Sequence, residues 1–427
     1  MSDEIPEELI TGILSKLQVS SSIARFRCVC KSWRRLLSDP SFIRKNNLAS
    51  SASDHQFMVE WTDRTGDVFR HVHRLISPDT LEPLLPSPLQ LPFDQNRPRR
   101  AGDCPSFSVV GCCNGLLCIV EYRGRKDEDL ILWNPATSEF RVLPPSPVAN
   151  PSREFLIGAV GFGFDSERDD YRIVRQFFFD ELGIGRRHYI SEVYSLRNNC
   201  WWRLPDGGCP LLGSWRIPQC RKGKMYWWRS TGQSKGLVFD SFDIASELFE
   251  VVEVHYDSEK PYDTPNCLLN EESMVAVFPE YYEENQDEYG DRKFSTSWDV
   301  WVLLKYWVSE SWMKLYVVTS PPGMIIESCV GLSSGLKYFF NTVPTDMVDE
   351  HGDYSGDRSL IPFHLETGEF GDVLIEGICV KVITNYVPSR VSLQDYLPQS
   401  PNIISNVSDF YHHKLMEIDT WDSIFDL

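Results

Sequence analysis

Apolar residues are spaced as in helices within residues 1–46 and as in β-strands over most of the chain that follows. Within that range, apolar side chains recur every three or four residues in three short runs, as at Leu9 and Ile13, which is the pattern of amphipathic helices. Pro6 suits the first turn of a helix because its missing N–H is not needed there, and Pro40 ends the third run. The pattern therefore predicts three short helices.

After the linker of residues 49–53, short aromatic and β-branched runs alternate with Gly, Pro, Asn and Asp. One loose unit recurs, in which a glycine precedes a strand, a loop, an aromatic strand, a turn and a last strand that ends near proline. Five clear units follow one another at roughly 40 to 55 residues, a spacing typical of four-stranded propeller blades. The pattern of residues 57–76 predicts a sixth, degenerate unit, which pairs with C-terminal strands and closes the ring of the propeller. The prediction is a mainly β chain: a short all-α module of three helices, then a β-propeller-like domain of about six four-stranded units.

Several residues of these units have structural interpretations. Gly161 and Gly163 alternate with phenylalanines, and no helix start follows, so we expect a closely packed strand and not a phosphate-binding loop. We expect tryptophans to pack between blades at Trp133, Trp201 and Trp312, and an inner strand at Gly115, Leu116 and Leu117. Turns are predicted at 134–137, 197–199, 245–246, 309–311 and 366–368.

Composition and charge narrow the class of partner. Hydrophobic residues make up 42% of the chain and aromatic residues 13%, which favours a globular core over disorder. The net charge is −19, and the first 45 residues hold eight basic and five acidic side chains, so residues 46–427 carry −22. That balance argues against nucleic acid as the main partner. Residues 16–45 are basic, with eight cations and one acid, and favour an acidic protein partner.

The sequence offers no membrane span, secretion signal or metal motif. No apolar run approaches the ~18 residues of a spanning helix, and the N-terminus lacks the pattern of a signal peptide, so we expect a cytoplasmic protein, with the nucleus as a second location. The 12 cysteines form no paired CxxC units, which favours free thiols, several of them in apolar stretches at Cys28, Cys30, Cys112, Cys113 and Cys118. His71 and His73 share a strand face but lack a nearby third ligand in the sequence, so no metal or other cofactor is expected.

Catalytic motifs are missing as well. The chain contains no GxSxG elbow, no HExxH pair and no P-loop, and nothing marks any two of its 61 acidic residues as a working pair. We therefore expect a non-catalytic protein.

The first module resembles an F-box. Its segments "EIPEELITGILSKL" and "FRCVCKSWRRLLSDPSFI" are similar to the opening and the later half of the plant pattern, with Gln18 standing where proline is common. F-boxes bind an acidic Skp-family adaptor, which joins them to a cullin scaffold. The resemblance implies adaptor binding or module packing, without dividing the two, for Pro6, Leu9, Ile13, Leu14, Phe26, Val29, Cys30 and Trp33.

The remaining chain resembles the F-box-associated, kelch-like domain of plant F-box proteins. "GCCNGLLCI", "LWNPATSEFRVLP", "GFGFDSERDDYRIVR" and "DVWVL" match its phrases in order, and S-locus F-box proteins share the layout. The implied domains are an F-box at 1–46, a substrate-binding β domain at 47–397 and a tail at 398–427. The implied function is substrate recognition in a Skp–cullin–F-box ubiquitin ligase. The alternative is an adaptor-bound interaction module that does not drive degradation.

Two acidic stretches are candidates for target binding. Residues 281–291 and 346–357 combine carboxylates with tyrosines between predicted strands of neighbouring units, so both could project from one face. The alternative interpretation is two solvated loops. If they do bind, we expect a basic protein target, such as the secreted ribonucleases that S-locus F-box proteins recognise, contacted by Glu283, Glu284, Asp287, Glu288, Asp349, Glu350 and Asp353.

Overall fold

The computed structural model of the 427-residue chain describes the β domain and two residues of the first module. The described residues are 32–33, 56–65, 68–91, 107–122, 128–146, 156–180, 187–204, 219–230, 236–255, 266–269, 274–286, 292–303, 312–332, 337–345, 356–389, 391–394 and 396. Ser32 and Trp33 are helical. The rest of the predicted three-helix module lies outside the described residues, as does the 398–427 tail.

The described β domain contains 23 strands, which form six units that we call blades 1 to 6 in chain order. Blade 1 combines β23 (Ile375–Tyr386), β1 (Gln56–Thr65) and β2 (Val68–Ile76). Blade 2 contains β3 (Phe107–Cys113), β4 (Leu116–Tyr122), β5 (Glu128–Asn134) and β6 (Glu139–Val142). Blade 3 contains β7 (Leu156–Asp165), β8 (Asp170–Asp180), β9 (Arg187–Ser195) and β10 (Cys200–Arg203).

The other three blades repeat the same antiparallel order. Blade 4 contains β11 (Gln219–Arg221), β12 (Lys224–Ser230), β13 (Gly236–Asp243) and β14 (Leu248–His255). Blade 5 contains β15 (Asn266–Leu269), β16 (Met274–Gln286), β17 (Arg292–Leu303) and β18 (Trp312–Thr319). Blade 6 contains β19 (Met324–Leu332), β20 (Lys337–Pro344), β21 (Arg358–His364) and β22 (Glu369–Phe370). The predicted β-propeller of about six units is confirmed.

Blade 1 closes the ring by joining the two ends of the β domain. β1 pairs antiparallel with β2 on one side and with β23 on the other, as in the pairs Val59↔Val382 and Glu60↔Lys381. The start of β23 also pairs with β21, so blades 6 and 1 share one continuous sheet. The prediction that residues 57–76 pair with C-terminal strands is confirmed. Such closure joins the two ends of the domain and leaves sheet edges only at the outer strands of the blades.

The fourth position of blade 1 is filled by an irregular segment. Residues 83–91 run beside β2 through two isolated bridges, Ile76↔Pro83 and His73↔Leu89. The amides of Leu84 and Leu89 donate to backbone carbonyls of β2, at 2.9 and 2.7 Å. This segment covers the outer edge of β2, which would otherwise expose unpaired backbone groups.

The core lies between the blades. Successive side chains of a strand point to opposite faces of its sheet, so a blade can present apolar residues to the blades on both sides of it. Separate clusters of buried residues join blades 1 and 2, 2 and 3, 3 and 4, 5 and 6, and 6 and 1. Trp133 is buried between blades 1 and 2, and the indole N–H of Trp201 donates to the Pro144 carbonyl across the blade 2–3 boundary at 2.9 Å. Both are packed as predicted, while Trp312 lies in β18 and its side chain is outside the description.

Gly161 and Gly163 lie in β7, where blade 4 approaches most closely. A Cβ atom added at Gly161 would lie 2.6 Å from both Met225 Sδ and Trp227 Cζ2, and one at Gly163 would lie 2.6 Å from Ile244 Cδ1. Neither distance is tolerated by real Cβ atoms. The predicted strand with close packing is confirmed.

Four of the five predicted turns coincide with observed ones. The chain turns at residues 135–138, 196–199, 244–247 and 365–368, and the predicted turn at 309–311 lies outside the described residues. One detail was wrong, because Gly115 does not belong to an inner strand. It lies in the β3–β4 turn at φ +74°, and Leu116 and Leu117 start β4, the second strand. A left-handed conformation at this tight turn needs glycine.

Candidate functional site

Antiparallel order divides the connections of the propeller between two faces. The first-to-second and third-to-fourth strand turns leave the blades at one face, which we call the turn face. The second-to-third strand connections and those between blades leave at the opposite face, which we call the connection face.

On the turn face, residues 114–115 and 222–223 make two-residue turns, and residues 135–138, 166–169, 196–199 and 244–247 make four-residue turns. On the connection face, the connections after β6, β10 and β14 span residues 143–155, 204–218 and 256–265, which is 13, 15 and 10 residues. Long connections on a rigid scaffold are where binding specificity usually resides.

On the turn face, several turns are stabilised by hydrogen bonds from their own backbone amides to the side chain that precedes the turn. Asn134 Oδ1 accepts the Ala136 amide at 3.0 Å, and Asp243 Oδ1 accepts the Ser246 amide at 2.9 Å. Asp165 Oδ1 does the same for the Arg168 amide at 3.1 Å. These Asx turns explain why Asn or Asp ends each of these strands. Their role is structural.

A C-terminal strap, whose described residues are 387–389, 391–394 and 396, lies on the turn face beside blades 2 and 3. The Asn134 amide group donates to the carbonyls of Ser389 and Val391, at 3.2 and 2.7 Å. Glu139 accepts from the Leu393 amide at 2.8 Å, and Tyr396 packs edge-on against Tyr171 with ring centroids 5.3 Å apart. The sequence carried no local signal for the strap, because its partners lie more than 200 residues away. The strap lies on the turn face, whereas the long connections between blades leave at the connection face.

A buried ion network holds blade 3 to blade 4. The Arg172 guanidinium lies 3.1 Å from Asp170 Oδ2 and 3.7 Å from Glu247 Oε1, and it covers the Trp202 ring at 4.9 Å. The Trp202 indole N–H also donates to Glu247, at 2.9 Å. Arg172 and Asp170 are buried, so the two opposite charges are placed together within the protein, although Nε and Nη1 of Arg172 make no hydrogen bond. Residues of the "FDSERDDYRIVR" segment therefore connect blade 3 to blade 4.

A second buried polar cluster sits between blades 1 and 2. The Glu60 carboxylate accepts the Val109 amide at 3.0 Å and lies 3.7 Å from His73 Nε2. Lys381, directly across from Glu60 in β23, donates to the Ser108 hydroxyl. Burial alone would raise the pKa of Glu60, but its contacts with His73, Lys381 and the Val109 amide together hold that pKa below its usual value. Sequence reasoning missed this cluster, because its members come from both ends of the β domain.

The structure offers no metal centre in its described part. His71 and His73 are both buried and face blade 2, where they meet the rings of Phe107 and Trp133 edge-on. Within the described ranges, no three His, Cys, Asp or Glu side chains are grouped so that they could hold a metal ion.

Cys112, Cys113 and Cys118 are free thiols, as predicted, and so are Cys200, Cys220 and Cys329. Burial raises the pKa of the Cys112 thiol to about 12, although a backbone hydrogen bond involving Gly115 opposes the shift. Such a thiol is a poor nucleophile at neutral pH. Cys28 and Cys30 lie outside the described residues.

The structure describes two of the predicted target-binding residues, Glu283 and Glu284. Glu283 and Glu284 were expected in a loop, but they lie in β16, opposite Ser295 and Phe294 of β17. The β16–β17 and β20–β21 connections are both second-to-third strand connections, so both start at the connection face. Asp287, Glu288, Asp349, Glu350 and Asp353 lie outside the described residues. Their role in binding stays a prediction, and so does that of the adaptor residues, of which only Trp33 is described.

Among the residues that the structure describes, no helix combines the length and apolar character needed to cross a bilayer.

Comparison with known families decides the assignment. Residues 91–393 match the F-box associated beta propeller domain, and residues 2–49 match the F-box-like family. The chain is a plant F-box protein with an F-box-associated β-propeller. Similarity to the S-locus subgroup is not part of that finding.

Related Arabidopsis thaliana proteins agree with this assignment. One F-box protein is 30% identical over 201 residues, which is 47% of this chain and 47% of that protein. An F-box/kelch-repeat protein is 30% identical across 58% of this chain and 64% of its own length. The F-box protein CPR1 is 26% identical across 74% of this chain and 73% of its own length. The chain thus spans about half to two thirds of the first two relatives.

Proposed function

We propose that this F-box protein is the substrate-recognition subunit of a Skp–cullin–F-box ubiquitin ligase. The observation that carries the proposal is the joining, in one chain, of an F-box-like segment at residues 2–49 and a propeller at residues 91–393. The first would bind a Skp-family adaptor, and the adaptor would join a cullin scaffold. The second would capture a target protein on its connection face.

The mechanism is proximity without covalent chemistry by this chain. A captured target is held near a ubiquitin-charged enzyme, so that transfer to a target lysine becomes effectively intramolecular. The buried polar groups of the propeller support this division of roles. Glu60, Arg172 and Asp170 are turned inward and occupied by structural contacts, so none of them is offered to a substrate.

Two finer proposals concern place and target. A ligase of this type would act in the cytoplasm, with the nucleus as a second location. The negative charge of residues 46–427 favours a basic target protein, and a secreted ribonuclease of pollen–pistil recognition is the candidate that the sequence resemblance suggests.

Reconstitution tests the proposal. The full chain is co-expressed with a Skp-family adaptor and a cullin, and ubiquitin transfer to proteins captured from plant extract is followed by mass spectrometry. The double variant Pro6→Ala/Leu9→Ala should lose the adaptor and all transfer while keeping captured proteins. Retention of adaptor by that variant would contradict the F-box assignment.

The alternative function is an adaptor-bound interaction module without a degradation role. It predicts the same adaptor complex and the same captured proteins, but no transfer of ubiquitin to them. Abundance of the captured proteins in cells would then be unchanged when the F-box protein is removed.

A further inference from the structure

Two free thiols from blades that are not neighbours lie close together. Cys113 ends β3 of blade 2, and Cys220 lies in β11 of blade 4, so the whole of blade 3 stands between them in the chain. Cα atoms of β3 and β11 nevertheless come within 8 Å of each other. Both cysteines are partly exposed, so small molecules in solvent can reach them.

A glycine of blade 3 makes room for this approach. A Cβ atom at Gly163 of β7 would lie 2.7 Å from Cys220 Sγ, so the thiol occupies space that a side chain would need. The backbone amide of Phe164, the next residue of β7, hydrogen-bonds to Cys220. From blade 2, Cys113 packs with Phe164 against the apolar cluster between blades 2 and 3. The two thiols hydrogen-bond to each other beside β7.

The other described cysteines are placed differently. Cys112 precedes Cys113, but it packs against the cluster between blades 1 and 2, on the opposite face of β3. Cys118 and Cys329 are buried, and Cys200 is exposed in the outer strand β10. Cys112 therefore provides a matched control for any chemistry of the Cys113 thiol.

We propose that Cys113 and Cys220 form a reversible oxidation site, at which hydrogen peroxide converts the two thiols into a disulfide that joins blades 2 and 4. The bond would close a loop of more than 100 residues, which restricts the unfolded chain and stabilises the closed ring. A small thiol such as glutathione would reduce it again by thiol–disulfide exchange. The proposal does not depend on the ligase role.

The reaction balances with peroxide as the oxidant. The Cys220 thiolate attacks one peroxide oxygen and the O–O bond breaks. The products are a sulfenic acid on Cys220 and a hydroxide ion, which takes up the proton that Cys220 released. The Cys113 sulfur then attacks the Cys220 sulfur, so that an S–S bond forms, the S–O bond breaks, and the departing hydroxide takes the Cys113 proton. Two thiols and one peroxide thus yield one disulfide and two water molecules.

The surroundings of the two thiols assign their roles. The hydrogen bond with Cys113, the Phe164 amide and the charge of Arg221 together lower the pKa of the Cys220 thiol, although burial opposes them. The same hydrogen bond and burial raise the pKa of the Cys113 thiol well above its usual value. Because the thiolate is the reactive form, peroxide oxidises Cys220 first and Cys113 resolves the sulfenic acid.

Peroxide treatment of the reduced full chain, followed by mass spectrometry of its unreduced tryptic peptides, tests the proposal. We expect the peptide of residues 217–221 to be joined to that of residues 101–123 through Cys113, and glutathione to separate them. The link should persist in Cys112→Ser and be lost in Cys113→Ser and Cys220→Ser. Peroxide that leaves both thiols reduced, or a link from Cys220 to any other cysteine, would overturn the proposal.

A reagent that needs two neighbouring thiols tests the geometry without an oxidant. Phenylarsine oxide binds two sulfurs through its arsenic and releases one water molecule. One equivalent should protect Cys113 and Cys220 of the folded, reduced chain from alkylation, and Cys112→Ser should keep this protection. If Cys220 is protected equally well in Cys113→Ser, the two thiols do not form the site.

Trapping with dimedone, which reacts with sulfenic acids, addresses the roles. Cys113→Ser leaves the Cys220 sulfenic acid without its resolving thiol, so dimedone should label Cys220 strongly in that variant. It should label Cys113 only weakly in Cys220→Ser. The reverse result would overturn the assignment of roles.

Thermal unfolding measures the consequence of the disulfide. The oxidised chain should unfold at least about 5 °C above the reduced chain, and so should oxidised Cys112→Ser above its reduced form. Neither Cys113→Ser nor Cys220→Ser should gain stability on oxidation. An equal gain in those two variants would show that the disulfide does not stabilise the ring. Circular dichroism of each reduced variant verifies that the serine substitutions leave the fold intact.

Discussion

At the scale of single residues, the most informative side chains are buried charges that join blades. Glu60 belongs to β1, near the N-terminal end of the β domain, and Lys381 belongs to β23, near its C-terminal end. Their register pairing places a carboxylate and an ammonium group in the strand pair that closes the ring. A charge in such a position stabilises closure only while it is ionised and partnered.

We expect Glu60→Gln to lower the free energy of unfolding by about 1–3 kcal/mol at pH 7. The folded pKa of Glu60 is below its unfolded value, so its contribution is complete above the unfolded pKa of about 4.3 and is lost as pH falls through the folded value. The stability difference between the two proteins should therefore shrink below about pH 4. Urea unfolding at several pH values measures it.

Asp63→Asn is the control, because Asp63 lies three residues further along β1 and is exposed. It should change stability little at any pH. A difference between Glu60→Gln and the unchanged protein that is the same at pH 7 and pH 3 would show that folding does not lower the pKa of Glu60.

At the scale of elements, the boundaries between blades depend on small residues in first strands. β7 can approach blade 4 only because Gly161 and Gly163 lack side chains. The alternation of glycine with phenylalanine was readable from the sequence, and so was the exclusion of a phosphate loop. Which atoms fill the space was not, because Met225 and Trp227 lie more than 60 residues away in another blade.

Gly161→Ala should destabilise the propeller by about 1–3 kcal/mol, because the new methyl group would overlap Met225 and Trp227. Adding Met225→Ala to it should recover part of the loss, since one of the two overlaps is removed. Chemical denaturation of the single and double variants, with Met225→Ala alone as the control, gives the coupling energy. Independent, additive effects of the two substitutions would contradict the proposed contact.

At the scale of the whole molecule, charge is divided between a basic first module and an acidic propeller. The first 45 residues carry +3 and residues 46–427 carry −22. An acidic adaptor would thus be attracted to the first module, and a basic target would be attracted to the propeller. Long-range attraction of this kind acts mainly on association rates and weakens with salt.

We expect Asp349→Lys with Glu350→Lys to slow the association of a small basic protein, such as a secreted ribonuclease, severalfold at low ionic strength. The dissociation rate should change less, and the effect should nearly vanish at high salt. Stopped-flow or surface-based kinetics at two salt concentrations distinguish the rates. Glu366→Lys, on an exposed residue of the turn face, is the control. Equal slowing by the control would show that only net charge matters.

The amino-acid sequence by itself determined the class of fold, an approximate number of blades, most of the tight turns and the resemblance to the family. These features depend on local patterns: alternation of apolar residues, turn-forming residues and ordered phrases such as "LWNPATSEFRVLP". The pairing of residues 57–76 with C-terminal strands was also foreseen, because an incomplete unit near one end needs strands from the other.

Only the tertiary structure decided which residues from distant parts of the chain lie together. It placed Glu283 and Glu284 in a strand, β16, and it laid residues 387–389 and 391–394 on the turn face beside blade 2. None of these features has a local signature. The same strand sequence is buried or exposed according to what the ring places beside it, and contacts between residues far apart in the chain exist only once the ring has closed.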